Sequence, residues 1–564
     1  MKTKKLLFTG LVMCSLAASA PQGQAQSPAS DPAGAVEKIV RDYNDAETPG
    51  GVVLVMRGGQ VVYRKAFGMA NLTHGIPFEA TTPTNIGSSS KQFTGFAIAL
   101  LEERGKLSLN DDVRKHIPEL PDLGHKVSLL HLLSHTSGYR EFFNSLAMTG
   151  MHPKSIRREY IIPVVQRQPS LQNVPGDSWM YNNTGYALLA VVVERVTGQP
   201  FPEWMEENIF QPLEMNNTLV REDPGQVIKG SAQGYAFRPE EGFREESDIG
   251  GAMGAGGIYT TVDDLAKWVN NFFEPRLGSR ALIEKMQTPL FLNNGDPTGY
   301  GLGLIIDELN GLKRWQHGGS DAAHRSQLMI FPAIQGAVIT QSNNAAFPNE
   351  AAARIAEAFF SDAMNSGISQ EEPIEATGPI VYKAEKFDKI SGHYELEAAP
   401  GFILEFSREG EQLFAQATGQ QRFEIFASSD TTFFWEVVPA SLTFHRNEAG
   451  EFESLTLHQN GNHRGKRVSR QAWEPSAEDV AQYLGRYFSE ELETFYTVAV
   501  NEKGDFFLKN RQLQDIPLQA GDKDEFNGAF PIMGLQFVRD EAGNVTGFKA
   551  SSGRSFGILF EKTD

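Results

Sequence analysis

The chain is 564 residues long, with a formal charge of −19, 40% hydrophobic residues and one cysteine. So acidic a balance argues against nucleic acid or an anionic membrane as partner. A lone cysteine, Cys14, leaves no disulfide, thiol nucleophile or cysteine metal site once an export signal is removed.

Residues 1–25 have the make-up of such a signal: Lys2, Lys4 and Lys5, a mostly apolar run from Leu6 to Ala20, then Gly23-Gln24-Ala25 before Gln26. The run is too short to span a bilayer, and bulky Met13 before Cys14 argues against lipidation there. A periplasmic or secreted protein without a membrane-spanning segment is expected. The remaining length suits two to four domains, each able to bury its own core.

From Gly50 the runs Val52–Met56 and Val61–Arg64, split by Gly58-Gly59, predict a hairpin. A matching pair, Leu328–Phe331 and Ala337–Thr340, comes late and precedes a helical pattern from Asn349 to Met364. Helices and long loops fill the interval. The expected plan is a sheet built from both ends of the domain, with a helical lobe inserted and a cleft between them.

Ile86-Gly87-Ser88-Ser89-Ser90-Lys91 lies in that insertion and leads into a helix marked by Phe93, Phe96, Ala97, Leu100 and Leu101. Ser88 and Lys91, three apart, fall on one helix face. A serine hydroxyl needs a group to take its proton, and a helix N-terminus favours negative charge at the reacting centre. The bland alternative is a capping serine beside a solvated lysine. His131 and His135 are four apart, but Leu132 stands where the zinc-protease pattern wants glutamate, so a packing or hydrogen-bonding role is expected. Pro175–Tyr186 is a turn that could aim the phenol of Tyr181 and the amide of Asn183 into a cleft; a buried tyrosine and a capping asparagine are the alternative. In Trp315-Gln316-His317-Gly318-Gly319-Ser320-Asp321 the glycines permit close approach of a substrate, and His317 could donate to a carboxylate or carbonyl. The same stretch nearly matches the G-x-S-x-G elbow, but it runs on into a strand pattern rather than a helix, which weakens Ser320 as nucleophile.

Taken in order, S-x-x-K at Ser88-Lys91, Y-x-N at Tyr181-Asn183 and H-x-G at His317-Gly319 resemble the serine β-lactamase and penicillin-binding-protein-like family, with class C β-lactamases, D-alanyl-D-alanine carboxypeptidases, D-aminopeptidases and esterases as relatives. The stretches His131–Gly138, Pro175-Gly176, Val196–Gly198, Gln211–Met215 and Tyr259–Leu265 are similar too, and the resemblance spans about residues 35–365. It implies an α/β sandwich, an antiparallel sheet flanked by helices with an all-helical lobe. It further implies that Ser88 forms an acyl-enzyme, that Lys91 and Tyr181 move protons, that Asn183 orients substrate or Lys91, and that the amides of Ser88 and Ser320 polarise the carbonyl. No cofactor or metal is implied, and the substrate would be a small molecule or peptide with an amide, ester or β-lactam bond. An alternative is a binding or sensor protein that is acylated without turnover. His317 stands where many relatives have lysine, so a substrate carboxylate would be held less firmly than by an ammonium.

Beyond Met364, residues 366–380 have linker composition and short β-rich runs take over, among them Gly401–Phe406 and Gln412–Gln416. Gly392, Tyr394, Phe433, Leu442, Phe444, Arg446 and Gly450 recur 93 residues on as Gly485, Tyr487, Phe526, Leu535, Phe537, Arg539 and Gly543. A constant shift predicts two copies of one small all-β module, over 381–470 and 475–564. Their expected role is structural support, or a loop that covers the cleft.

Overall fold

A computed structural model of the chain describes residues 31–364, 382–397, 402–417, 422–435, 440–447, 449–458, 462–469, 473, 475–502 and 504–563; the expected signal with Cys14, and the expected linker at 366–380, lie outside them. The first domain is built on a six-stranded antiparallel sheet in the order Ile305–Leu309, Leu312–Asp321, His324–Phe331, Gly336–Ser342, Gly51–Arg57, Gln60–Phe67. Both ends of the domain thus meet in one sheet, Val53 pairing with Thr340 on one side and Lys65 on the other.

The strand Gly51–Arg57 shows why a continuous apolar run was needed. Successive side chains point to opposite faces. Val52, Leu54 and Met56 therefore join the core shared with the helical lobe, while Val53 and Val55 join Val36, Ile355 and Phe360 on the other side. All five are fully buried, and each contributes roughly 1.5–3 kcal/mol by leaving water. Helices Pro32–Val40 and Ala351–Phe360 cover the second face. The first face packs on Val262–Phe273, whose Trp268 stacks on Phe93 with ring centroids 4.2 Å apart, and so fixes the helix Lys91–Glu103 against the sheet.

The C-terminal half is all β, and the first module is a closed eight-stranded barrel from Gly392 to Val468. The second is a nine-stranded sheet whose two end strands, Ile516–Pro517 and Gln519–Ala520, are consecutive in the chain, so it curls almost to closure. The 93-residue shift holds in three dimensions. Tyr394 donates its hydroxyl to the carbonyl four residues back, at Ile390, as Tyr487 does to Tyr483; Phe433 pairs with Leu442 as Phe526 does with Leu535; Arg446 donates to Gly450 O as Arg539 does to Gly543 O.

Candidate active site

Ser88 lies in a tight 3-10 turn, Gly87–Ser90, that runs into the helix Lys91–Glu103. The turn is pressed against the far end of the strand Leu312–Asp321. A Cβ on Gly319 would stand 1.8 Å from Ile86 O, so only glycine permits this approach, and a Cβ on Gly87 would stand 2.7 Å from the amide nitrogen of Ser320. Ser89 ties the two segments by donating to His317 O at 2.9 Å. The neighbouring strand Ile305–Leu309 pairs only as far as Gln316. Among the described residues, His317–Asp321 therefore has no strand on that side, and its edge faces the Ser88 turn. The amide of Ser320 is thus beside the turn that carries Ser88, at Gly87, while the Ser320 side chain is exposed.

Lys91 is fully buried, and its Nζ has three polar neighbours: Asn183 Oδ1 at 2.8 Å, Ala255 O at 2.8 Å and Ser88 Oγ at 3.2 Å. Asn183 cannot turn its amide around without loss, because its Nδ2 donates to Glu141 Oε1 at 3.0 Å. Both oxygens facing Lys91 can only accept. A neutral amine has two hydrogens and one lone pair; the two acceptors take the hydrogens, and the lone pair is left for Ser88. Burial drives the Lys91 pKa well below its usual value, and the nearby Arg554 charge pushes the same way, against the Glu141 carboxylate. The positive end of the helix dipole works in the same direction.

Tyr181 completes the group. Its ring centroid is 4.7 Å from Lys91 Nζ and 4.4 Å from the His135 ring, and its hydroxyl is buried without an aligned hydrogen-bond partner. Burial raises its pKa, which Ser88 and Arg554 oppose, so it is a phenol at neutral pH. The helix behind it, Asn183–Thr197, is capped by Asn182, whose side chain accepts from Gly185 N. Because Asn182 takes the cap, Asn183 is free to reach Lys91.

His317 is held inside the protein. Its Nδ1 contacts Gly318 O at 2.6 Å, an oxygen that can only accept, so Nδ1 carries the hydrogen and Nε2 accepts from the Tyr300 hydroxyl at 3.0 Å. Burial, with Lys91 nearby, lowers its pKa to about 3. The imidazole is neutral and both nitrogens are occupied. His131 and His135 do not share a helix face: the helix ends at Leu133, His131 accepts from Ser128 N, and His135 has φ 60°. Among the described residues no group of side chains could hold a metal, and no helix is long and apolar enough to cross a membrane.

Several contributors had no motif to announce them. Glu141 and Tyr300 hold Asn183 and His317. The carbonyl of Ala255 comes from the glycine-rich run Gly250–Gly257, the one feature that could have drawn attention; at Gly254 (φ 85°) a Cβ would lie 2.4 Å from Tyr186 O. Asn85 accepts from Gly87 N at 2.8 Å and donates to Asp248 at 2.7 Å and Asp321 at 3.0 Å, bracing the Ser88 turn against two buried carboxylates. Burial, then repulsion from Asp248, raises the Asp321 pKa to about 7.

The second C-terminal module reaches this site. Its strands Val545–Ser552 and Ser555–Lys562 are joined by the two-residue turn Gly553-Arg554, and Arg554 Cζ lies 5.5 Å from the Tyr181 ring centroid.

A serine-bearing turn, a buried lysine and a phenol, set between a sheet edge and a helical lobe, fit a serine hydrolase of β-lactamase fold. The chain belongs to the Beta-lactamase family, whose model matches residues 36–360, and residues 382–467 match a domain of unknown function, DUF3471. It is similar to penicillin-binding protein 4* of Bacillus subtilis, at 28% identity over 73% of this chain and 93% of that one. It is also similar to a D-aminopeptidase of Gluconobacter oxydans, at 26% identity over 79% and 80%. Among solved structures, an octameric penicillin-binding protein homologue from Pyrococcus abyssi shares the fold, with a TM-score of 0.55, 24% identity and coverage of 77% of this chain and all of that one.

Proposed function

We propose that the enzyme hydrolyses amide, peptide or ester bonds through an acyl-enzyme on Ser88. Ser88 Oγ attacks the substrate carbonyl as its proton passes to the Lys91 lone pair. The carbonyl oxygen gains the negative charge and is met by the amides of Ser88 and Ser320. The intermediate collapses by breaking the bond to the amine or alcohol, which leaves with a proton relayed from Lys91 through the Tyr181 hydroxyl. Water then attacks the ester on Ser88, giving its proton to the same pair, and Ser88 recovers its own.

One observation carries this reading: Lys91 Nζ, fully buried and held by two acceptors, lies 3.2 Å from Ser88 Oγ, where as a neutral amine it would have its lone pair left for the Ser88 proton. The relative named D-aminopeptidase supports an amide among the bonds cleaved. A fluorophosphonate and a chromogenic cephalosporin, followed by intact-mass spectrometry, test it. One adduct is expected on Ser88; Ser88→Ala abolishes both labelling and turnover, whereas Ser320→Ala, which keeps the amide, lowers them far less. The reverse pattern would overturn the proposal, and stoichiometric adducts without turnover on esters, D-aminoacyl amides and β-lactams would show an acylated sensor.

A further inference from the structure

The turn Gly553-Arg554 is held to the helical lobe on every side. Arg554 N donates to Asn144 Oδ1 at 3.2 Å, Arg554 O accepts from Gln172 Nε2 at 3.2 Å, and Phe556 N donates to Gln172 Oε1 at 2.5 Å. Ser555, fully buried, donates to Glu141 O at 2.8 Å and meets Ser145 Oγ at 3.1 Å. Glu141 is the residue whose side chain orients Asn183 and through it Lys91. The backbone of the tip is therefore fixed in register with the catalytic lysine.

Its side chain is not so satisfied. Arg554 makes no ion pair among the described residues, and its Nε is buried without a hydrogen-bond partner although the residue as a whole is partly exposed. A guanidinium N–H that has lost water without gaining an acceptor is costly. The carboxylate in the neighbourhood, Glu141, is engaged by Asn183 Nδ2 and Asn144 N. Two other groups able to attract an anion are committed elsewhere: Lys91 is directed at Ser88, and His317 is neutral with both nitrogens occupied. A planar, partly exposed guanidinium 5.5 Å from the Tyr181 ring suits bidentate pairing with a carboxylate.

We propose that Arg554 is a specificity-determining residue that pairs with a substrate carboxylate, so that the enzyme takes acyl donors carrying a carboxylate a few bonds from the scissile carbonyl and discriminates against those carrying a free ammonium there. The proposal rests on Ser88 as the nucleophile, because the carboxylate is placed relative to that atom. The second module thereby supplies part of the substrate site rather than support alone.

Four esters test it in the full chain: phenyl acetate, 3-carboxyphenyl acetate, mono-phenyl succinate and 3-(aminomethyl)phenyl acetate. They place an anion on the leaving group, an anion on the acyl group, or a cation on the leaving group. The ratio of kcat/KM for the better anionic ester to that for phenyl acetate is expected to fall at least tenfold in Arg554→Gln, to survive in large part in Arg554→Lys, and to turn toward the aminomethyl ester in Arg554→Glu. Ratios unchanged across the three variants would overturn the assignment. Binding is read separately by calorimetry on Ser88→Ala, which needs no turnover. The 3-carboxyphenyl ester or the succinate is expected to bind at least tenfold tighter than phenyl acetate, with the difference gone in Ser88→Ala/Arg554→Gln; equal affinities would overturn the assignment. Undiminished turnover by Ser88→Ala would instead remove the nucleophile, a result distinct from either.

Discussion

Lys91 sits between two opposing charges. Burial and Arg554 disfavour its ammonium form, and Glu141 favours it. With the neutral amine as the proposed base, kcat/KM should rise with pH through the Lys91 pKa, with an acid limb far below ordinary lysine. Glu141→Gln removes the influence that favours the charged form, so the limb should move to lower pH; Arg554→Gln should move it to higher pH. A pH profile of kcat/KM on a neutral ester checks both, since the readout is the position of the limb and not the rate. The candidate residues of S-x-x-K, Y-x-N and H-x-G were legible because those motifs use fixed local spacing. Glu141, Ala255 and Tyr300 were not, since each acts through an atom that any residue of its kind, or any backbone, could supply. The two internal hydrogen bonds of His317 were likewise beyond anything spacing could reveal.

At the scale of elements, the early hairpin and the late strand pair followed from β-rich runs and turn residues, and the repeat from seven residues recurring at a shift of 93. Closure did not. The segment Arg422–Ala427 is one strand of the first barrel, whereas its counterpart 93 residues on is broken at Leu518 into two short end strands, beside Pro517, which has no N–H for a ladder. The shared tyrosine is a clearer mark of the module than its strand count. Tyr394 and Tyr487 are fully buried and each satisfies a carbonyl one turn back. Tyr394→Phe and Tyr487→Phe should each cost about 1 kcal/mol. Differential scanning calorimetry should show each change lowering the transition of its own module.

For the whole molecule the decisive contact is that between the helical lobe and the second module. Met148, from the first domain, is buried in the second module's core, and its carbonyl accepts from the Tyr496 hydroxyl at 2.8 Å. Arg140 and Glu491 form an ion pair at 3.2 Å with side chains 4% and 6% exposed, too poorly aligned to count as a hydrogen bond. Burial raises the Glu491 pKa from 4.5 to about 7 against the pull of Arg140 and Arg167. The docked module therefore holds this proton more tightly than a free one would. Docking should be firmest below about pH 4.5 and weaken as pH rises through 7. Glu491→Gln, which keeps the shape and the hydrogen-bonding group without the titration, should flatten that dependence. Hydrogen exchange in Phe142–Ala147 as a function of pH measures both.

The hairpin that delivers Arg554 also sets an order of events in time. Ser88 and the guanidinium beside its pocket stand at opposite ends of the polypeptide, so a ribosome releases the nucleophile's domain long before the segment that finishes the pocket. A nascent chain would pass through an interval with its serine in place and its gatekeeping charge still unmade, indifferent to the sign of what enters. On the proposed role of Arg554, discrimination is thus acquired later in synthesis than the serine it serves.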